Sequence, residues 1–442
     1  MVTYSLLIRI IALTIASISL VGCMGLGSKA ASMRVELEAG HVDNAYAIAE
    51  KEDSSEKEVL ASLNKGMLRR MKGDYQGSNK IFEVAKNHIE ELYGVSITEQ
   101  AGALIVNDTL RSYVGDRYEQ VLLHAYMAMN YIQLDDLDSA RIEMKQADVK
   151  MMEWGEDPED DPFVRYLSGI IYEALGEMDQ AVISYRLAKK TYESTTEKQN
   201  IGVPALLKKD LLRSLASAGF NDELRILKKE FKMGKFNPKP VVKGYGELIV
   251  VLNSGLAPLR EEVSIRAATS RDIVDFVKIA VPKYPQPKLS YSARLIASNR
   301  AVAKLEKVED IDALARAALS KDLPVITARA IARAVVKHET QETAKERGGA
   351  LAGFIATVAN VATEQADTRS WISLPQNIQM ARVRLPVGMN KIRIEIYNAS
   401  GMLVDMINKQ VLVKSGKSTF LTEHWLVPNM GMRAVAEKNR KL

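Results

Sequence analysis

The side chains of this chain that could do covalent or metal chemistry are few and far apart. Cys23 is the only cysteine in 442 residues, so no disulfide can staple the fold. The histidines, His41, His88, His124, His338 and His424, are scattered. His338 and Glu342 lie four apart, a helical spacing that can hold a metal, but no H-E-x-x-H motif and no third ligand accompany them. They read as a surface pair. Gly416-Lys417-Ser418 ends like a phosphate loop, yet that motif needs glycine at 411, where valine stands in a hairpin-like context. Ser62-Leu63-Asn64-Lys65 fits the S-x-x-K signature of a serine nucleophile without its companion motifs, inside a helical segment. The acidic run Glu156 to Asp161 lacks the alternating ligands and central glycine of an EF-hand loop and reads as a solvated loop. These patterns predict no catalytic centre, no metal and no cofactor.

The chemistry open to Cys23 follows from what precedes it. Residues 1–22 carry one charge, Arg9, and the stretch from Ile10 to Gly22 is uncharged. That run is shorter than the ~20 residues needed to span a bilayer. It matches the apolar region of a secretory signal peptide. Its end, Leu20-Val21-Gly22-Cys23, resembles the bacterial lipobox. The resemblance implies a signal peptide over 1–22, a diacylglycerol on the Cys23 thiol, and a lipidated tether over 23–32. An odd thiol in a secreted chain invites unwanted pairing unless it is consumed, and acyl chains anchor at ~0.8 kcal/mol per buried CH₂. Residue 24 is Met; Asp there implies inner-membrane retention in lipoproteins of this kind, so Met implies the periplasmic face of the outer membrane.

Hydrophobic residues make up 47% of the chain, enough for well-filled cores, and the net charge of +5 is mild with both signs interspersed. Nucleic-acid binding favours a clustered basic face, so no nucleic-acid partner is expected. Residues 428–442 read as a basic flexible tail.

From 33 to 232 helix follows helix, with apolar residues at helical spacing and little proline. Three segments align when started at Val59, Val121 and Pro162. Gly66, Ala128 and Gly169 coincide, as do Gly73, Asp135 and Gly176, Phe82, Met144 and Tyr185, and Ala85, Ala147 and Ala188. Small residues let two helices approach, bulky ones fill the gap, and glycine suits the turn. The pattern resembles the tetratricopeptide repeat, with divergent flanking units at 34–51 and 205–231. The resemblance implies that the first helix of each pair lines a concave groove. Leu63, Met67, Arg70, Met129, Ile132, Tyr166, Ile170 and Glu173 then face it. This largely apolar, methionine-bearing stripe is adaptable. It is expected either to bind a partner segment or to be covered by the chain's own second half.

Glycine and prolines over 233–245 read as a linker. Beyond it, 246–427 is expected as a β-rich domain, with a helical insertion over about 308–366 and Pro324 starting its second helix. Turns are expected at 386–388, 399–401 and 415–417. The fold class is therefore α+β: an all-α repeat solenoid followed by strands with inserted helices. The apolar segment 350–362 is read as a core helix, with an interfacial segment lying on the membrane as the alternative.

EQADTRSWISLPQNIQMARVRLPVG at 364–388, with YEQVLLHAYMAMNYI at 118–132 and ELIVVLNSGLAPLREEVSI at 247–265, resembles a family of uncharacterised proteobacterial lipoproteins with tetratricopeptide-like repeats. Within the first stretch, Asp367, Arg369, Trp371 and Pro375 are expected to pin the helix-to-strand crossing by an ion pair and aromatic packing, with a binding role as the alternative. Together the readings predict an outer-membrane-anchored periplasmic lipoprotein. It has one partner in the membrane, through its lipid, and another in an envelope protein, for which it is a non-enzymatic scaffold. The alternatives are a regulator of peptidoglycan synthesis contacting a penicillin-binding protein, and an envelope-polymer hydrolase or transferase with its site in the C-terminal domain, 246–427.

Overall fold

The computed structural model describes residues 25–51, 59–99, 112–154, 161–237, 243–268, 276–287, 289–297, 300–335 and 365–427. Residues 1–22, expected as a signal peptide, Cys23, His338 and Glu342, the segment 350–362, residues 428–442 and most of the acidic run lie outside these. Two compact units divide the chain, one holding the residues up to Asp53 and those from Leu426, the other Ser54–Trp425.

In the first unit, α1 (Gly25–Glu38) and α2 (Val42–Glu50) pair around Gly40, whose φ of 80° is left-handed. Residues 25–32, expected as a tether, are instead the first turns of α1. Their alanines and lysine, followed by Met33 and Arg34, are good helix formers.

The second unit begins with four helical pairs: α3 (Val59–Met71) with α4 (Tyr75–Glu99), α5 (Arg117–Gln133) with α6 (Leu137–Glu153), α7 (Pro162–Leu175) with α8 (Met178–Gln199), and α9 (Ala205–Ala218) with α10 (Asn221–Glu230). The aligned small residues do what their size allows. A Cβ built on Gly66 would sit 2.4 Å from the Phe82 ring, and one on Gly169 would sit 2.4 Å from the Tyr185 ring. At the turns, Gly73, Asp135 and Gly176 all take left-handed φ, at 83°, 62° and 83°. Caps start the helices: the Asp136 carboxylate accepts from Ser139 N–H, and Asp161 accepts from Val164 N–H with Pro162 just inside the helix. Asp161, the described end of the acidic run, is thus a buried cap. Part of the extra length between the first two repeats prolongs α4, which runs for 25 residues.

Two four-stranded sheets and a ribbon follow. The first sheet has the order β10 (Ser418–Trp425), β1 (Tyr245–Ser254), β7 (Asn377–Pro386), β6 (Glu306–Asp310). Within it β1 runs parallel to β10 and antiparallel to β7. The second has the order β5 (Arg300–Lys304), β4 (Ser292–Ala297), β8 (Gly388–Tyr397), β9 (Leu403–Val413). The ribbon pairs β2 (Glu261–Ala268) with β3 (Phe276–Lys283). Residues 311–335 are helical without a break, so Pro324 lies inside the helix rather than at the start of a second one. Pro324 and Ser320 are both exposed, and water can take the carbonyl that the proline ring leaves without a donor. Alanines 330 and 334 of this helix pack on Ile279 and Val281 of β3, and Ala315 and Leu319 on Tyr284.

The turns fall where expected, with Gly388, Gly401 and Gly416 at φ of 109°, 78° and 65°, but only the middle one closes a hairpin, β8 with β9. Val387 carries the chain from the first sheet into the second. Residues 414–417 carry it back, because β10 pairs with β1 and not with β9. Gly416-Lys417-Ser418 is therefore a crossing between sheets and not a hairpin turn.

The expected division at 233–245 is not a division of the core. One apolar cluster runs from Leu63, Met67, Met129 and Ile170 of the helices into Ile249, Val251, Trp371, Ile378 and Met380 of the strand-rich half. Met233 and Phe236, on the expected linker, pack against it. The physical cause is the period-2 pattern of β1. Glu247, Ile249, Val251 and Asn253 share one face. By register that face continues with Arg384, Arg382, Met380 and Ile378 on β7 and with Ser418, Phe420, Thr422 and His424 on β10.

Candidate functional site

That face of the first sheet packs on the first helices of the repeat pairs, and the seam between them holds several buried polar groups. The helix at its centre is α5, buried on every side from Glu119 to Asn130. Its near-absence of charge in YEQVLLHAYMAMNYI is what such a position requires.

At one end stands Arg382 of β7, 5% exposed. Its Nη1 lies 2.8 Å from Glu173 Oε2 and 3.1 Å from Asp210 Oδ2, and its Nη2 lies 2.9 Å from Glu247 Oε2. Arg213 of α9 closes the ring on Glu173 at 2.8 Å and Asp210 at 2.9 Å. The hydroxyls of Tyr185 and Tyr166 donate to Glu173 and Asp210 at 2.7 and 2.8 Å. Burial pulls the Arg382 guanidinium down, but Asp210, Glu173 and Glu247 outweigh it and hold it well above its ordinary value. Burial likewise pushes Glu173 up, yet Arg382 and Arg213 outweigh it and bring its carboxyl to about 2. A cleft of about 180 Å³ adjoins the cluster, lined by Lys209, Phe236, Arg384 and the charged groups themselves.

At the other end Trp371, 1% exposed, stands edge-on to Phe82 at 5.7 Å and to Tyr126 at 5.9 Å. Its backbone N–H donates to Glu119 Oε1 at 2.8 Å, and its indole N–H donates to Ser373 Oγ at 2.9 Å. Ser373 in turn donates to Asn64 Oδ1 of α3 at 2.8 Å. Nearby, Arg260 pairs with Asp116, the cap of α5, and donates to Tyr284 Oη at 3.1 Å. Between the two ends, the Tyr126 hydroxyl donates to Asn253 Oδ1 at 3.1 Å and the Tyr192 hydroxyl to the Val308 carbonyl at 2.6 Å.

The residues expected to line the groove are under cover. Leu63, Met67, Met129, Ile132, Tyr166 and Ile170 are buried, and Glu173 is spent on Arg382 and Arg213. Of the two outcomes left open by the sequence, this conformation displays the second: the chain's own strands fill the concave face. A partner segment finds no apolar stripe to lie on, because Ile249, Val251, Ile378 and Met380 already occupy it.

The 367–375 motif also takes its place at the seam. Arg369 Nη2 lies 2.7 Å from Asp367 Oδ2, and its guanidinium sits 5.4 Å from the centre of the Tyr113 ring. Pro375 is buried beside Leu374. The packing partner of Trp371 is the repeat array, through Phe82 and Tyr126, rather than a local helix. Ser62, of the S-x-x-K match, is buried in α3.

Sequence reasoning missed Arg382, Asp210, Glu119, Asn64 and Asp116. Glu119 and Asn64 are polar residues on largely buried helices, a contrast the sequence offers, whereas Arg382, Asp210 and Asp116 lie on elements that are partly exposed and carry no such signal. The arrangement can lock two elements together. It presents no nucleophile paired with a base among the described residues, and these also hold no cluster of side chains able to bind a metal. No described helix is long and apolar enough to cross a membrane.

No protein-family model matches the chain, and no curated protein matches it. Among solved structures, a MamA structure (AMB-1) aligns over 48% of this chain and 92% of its own, at 14% identity and a TM-score of 0.31. A Podosopora anserina protein, described as a kinesin light chain with nearly identical TPR-like repeats, aligns over 47% and 93%, at 14% identity and a TM-score of 0.32. Likeness at this level is too slight to bear on what the chain does.

Proposed function

We propose that this chain is a lipid-anchored scaffold of the bacterial envelope, tethered through Cys23 at the periplasmic face of the outer membrane and holding an envelope protein on its repeat array. The lipobox-like run before Cys23 supports the anchor, and the helical pairs support the protein-binding role. The observation that carries the reading is the closure of the concave face by the first sheet. A surface that is already filled leaves the outer helices to meet a partner. There Ile142, Val149 and Met152 of α6, Ile183 of α8 and Ile226 of α10 are exposed at 51%, 49%, 67%, 46% and 61%. Ion pairs such as Arg141–Asp138 and Lys189–Glu230 lie on the same helices. Apolar contacts ringed by charge suit a reversible protein interface.

The test is photo-crosslinking in intact cells from Ile183 and Ile226, with Met129 and Ile170 as inner positions. The expected result is adducts to a second protein from the outer pair and only internal links from the inner pair. Adducts to a partner from Met129 or Ile170 would show that the groove opens, and their absence from all four positions would remove the scaffold role. The anchor has its own test. Cys23→Ser is expected to abolish acylation and release the protein from the membrane fraction, and unchanged fractionation would refute it.

A further inference from the structure

Arg70 of α3 is treated differently from the two arginines of the seam cluster. Arg382 and Arg213 are surrounded by carboxylates. Arg70 is 3% exposed, and among the described residues no carboxylate pairs with it. Its Nη1 donates to Asn130 Oδ1, while Nε and Nη2 have no protein partner there. Its guanidinium lies 5.7 Å from the centre of the Tyr75 ring and 5.4 Å from that of Tyr126. Burial draws the guanidinium down to about 10, which leaves it charged at neutral pH. A second orphan stands close by. His424 of β10 stacks on Tyr126 at 6.4 Å, and its Nε2 is buried without a protein partner. Burial and then the Arg70 charge bring His424 to about 3, so it is neutral and offers one N–H.

An isolated buried cation costs several kcal/mol unless a counter-charge accompanies it. Ring faces offset only part of that cost. Arg70 and His424 both lie against the Tyr126 ring, where the first two repeats meet β10. Asn130 holds the wall by donating to Ser78 Oγ at 2.9 Å and Asn79 Oδ1 at 2.7 Å. We propose that Arg70 and His424 form a buried site for a small monovalent anion, a halide or a carboxylate, which supplies the counter-charge where the sheet meets the first two repeats. A divalent oxyanion would exceed the single positive charge available. Bound there, the anion favours the docked sheet, because it gains its donors from both halves of the seam.

The experiment follows thermal unfolding of the full chain at constant ionic strength. Sodium bromide is titrated against sodium fluoride in one arm and sodium acetate against sodium fluoride in another. Arg70→Met and Asn130→Asp are run beside the wild type, so that general salt effects cancel. The wild type is expected to show a saturating gain in one arm, and the arm identifies the anion. At 100 times the dissociation constant the folded-to-unfolded ratio rises about 100-fold. Asn130→Asp places a carboxylate beside Nη1 and is expected to abolish the response; it also gives up the bonds donated to Ser78 and Asn79, so its unfolding starts from a lower midpoint. Arg70→Met is expected to be insensitive to both anions. A wild type as insensitive as the variants overturns the proposal, and so does an Asn130→Asp chain that keeps the full response.

Discussion

Replacing Arg382 by methionine probes the seam most directly. The side chain is of similar length and fills the same space, but the charge is gone. Glu173, Asp210 and Glu247 then share Arg213 and the more exposed Arg384, which lies 3.6 Å from Glu247. Removing one partner of a buried ion pair costs ~3–5 kcal/mol, because the remaining charge is stranded out of water. Glu173 permits an independent estimate. Its carboxyl stands at about 2 in the fold against an ordinary 4.5. At ~1.36 kcal/mol for each pH unit, its contacts net of burial contribute ~3 kcal/mol. Because the folded value lies below the unfolded one, this stability is present above about pH 4.5 and is lost as pH falls toward about 2. In Arg382→Met the stranded carboxyls rise, so acid relieves them. Urea unfolding at pH 7 and pH 5 should show a loss of ~3–5 kcal/mol at pH 7 that is smaller at pH 5. A loss below ~1 kcal/mol that does not change with pH would mean the cluster is screened like a surface pair, and the reasoning would fail.

Trp371→Ala removes the aromatic anchor between Phe82 and Tyr126 and is expected to cost ~3–5 kcal/mol, with faster amide exchange along α5; protection left unchanged there would count against docking through this residue. Gly169→Ala would ordinarily favour a helix, but its Cβ would meet the Tyr185 ring at 2.4 Å, so a net destabilisation of ~1–3 kcal/mol is expected from denaturant midpoints. Glu309 is fully buried beside Asp161, and burial first, then that neighbour, hold its carboxyl well above the ordinary range. Its contribution is therefore present below about pH 4.5 and declines as pH rises through the folded value. Glu309→Gln should flatten that decline and stabilise the protein in alkaline buffer, as read from unfolding midpoints across pH.

The repeat array was legible because its determinants are local. Gly66 and Gly169 announce close helix approach. Gly73, Asp135 and Gly176 mark turns that take left-handed φ, and Asp161-Pro162 marks a helix start. The strands were legible from their alternation. Pro324 misled because a lone proline usually marks a boundary, whereas exposure let this helix absorb it.

What the chain sequence determined alone is the kind of each element, since helical period, strand alternation and turn residues act over a few neighbours. It also assigned Trp371 and the groove residues to burial or binding without saying which. Only the tertiary structure decided that the first sheet enters the repeat groove, that β10 lies parallel to β1, and that Arg382 meets Glu173 across 209 positions of chain. Such contacts depend on which of many apolar faces meet, a choice made by the summed burial and ion pairing of the whole fold, which no short stretch encodes.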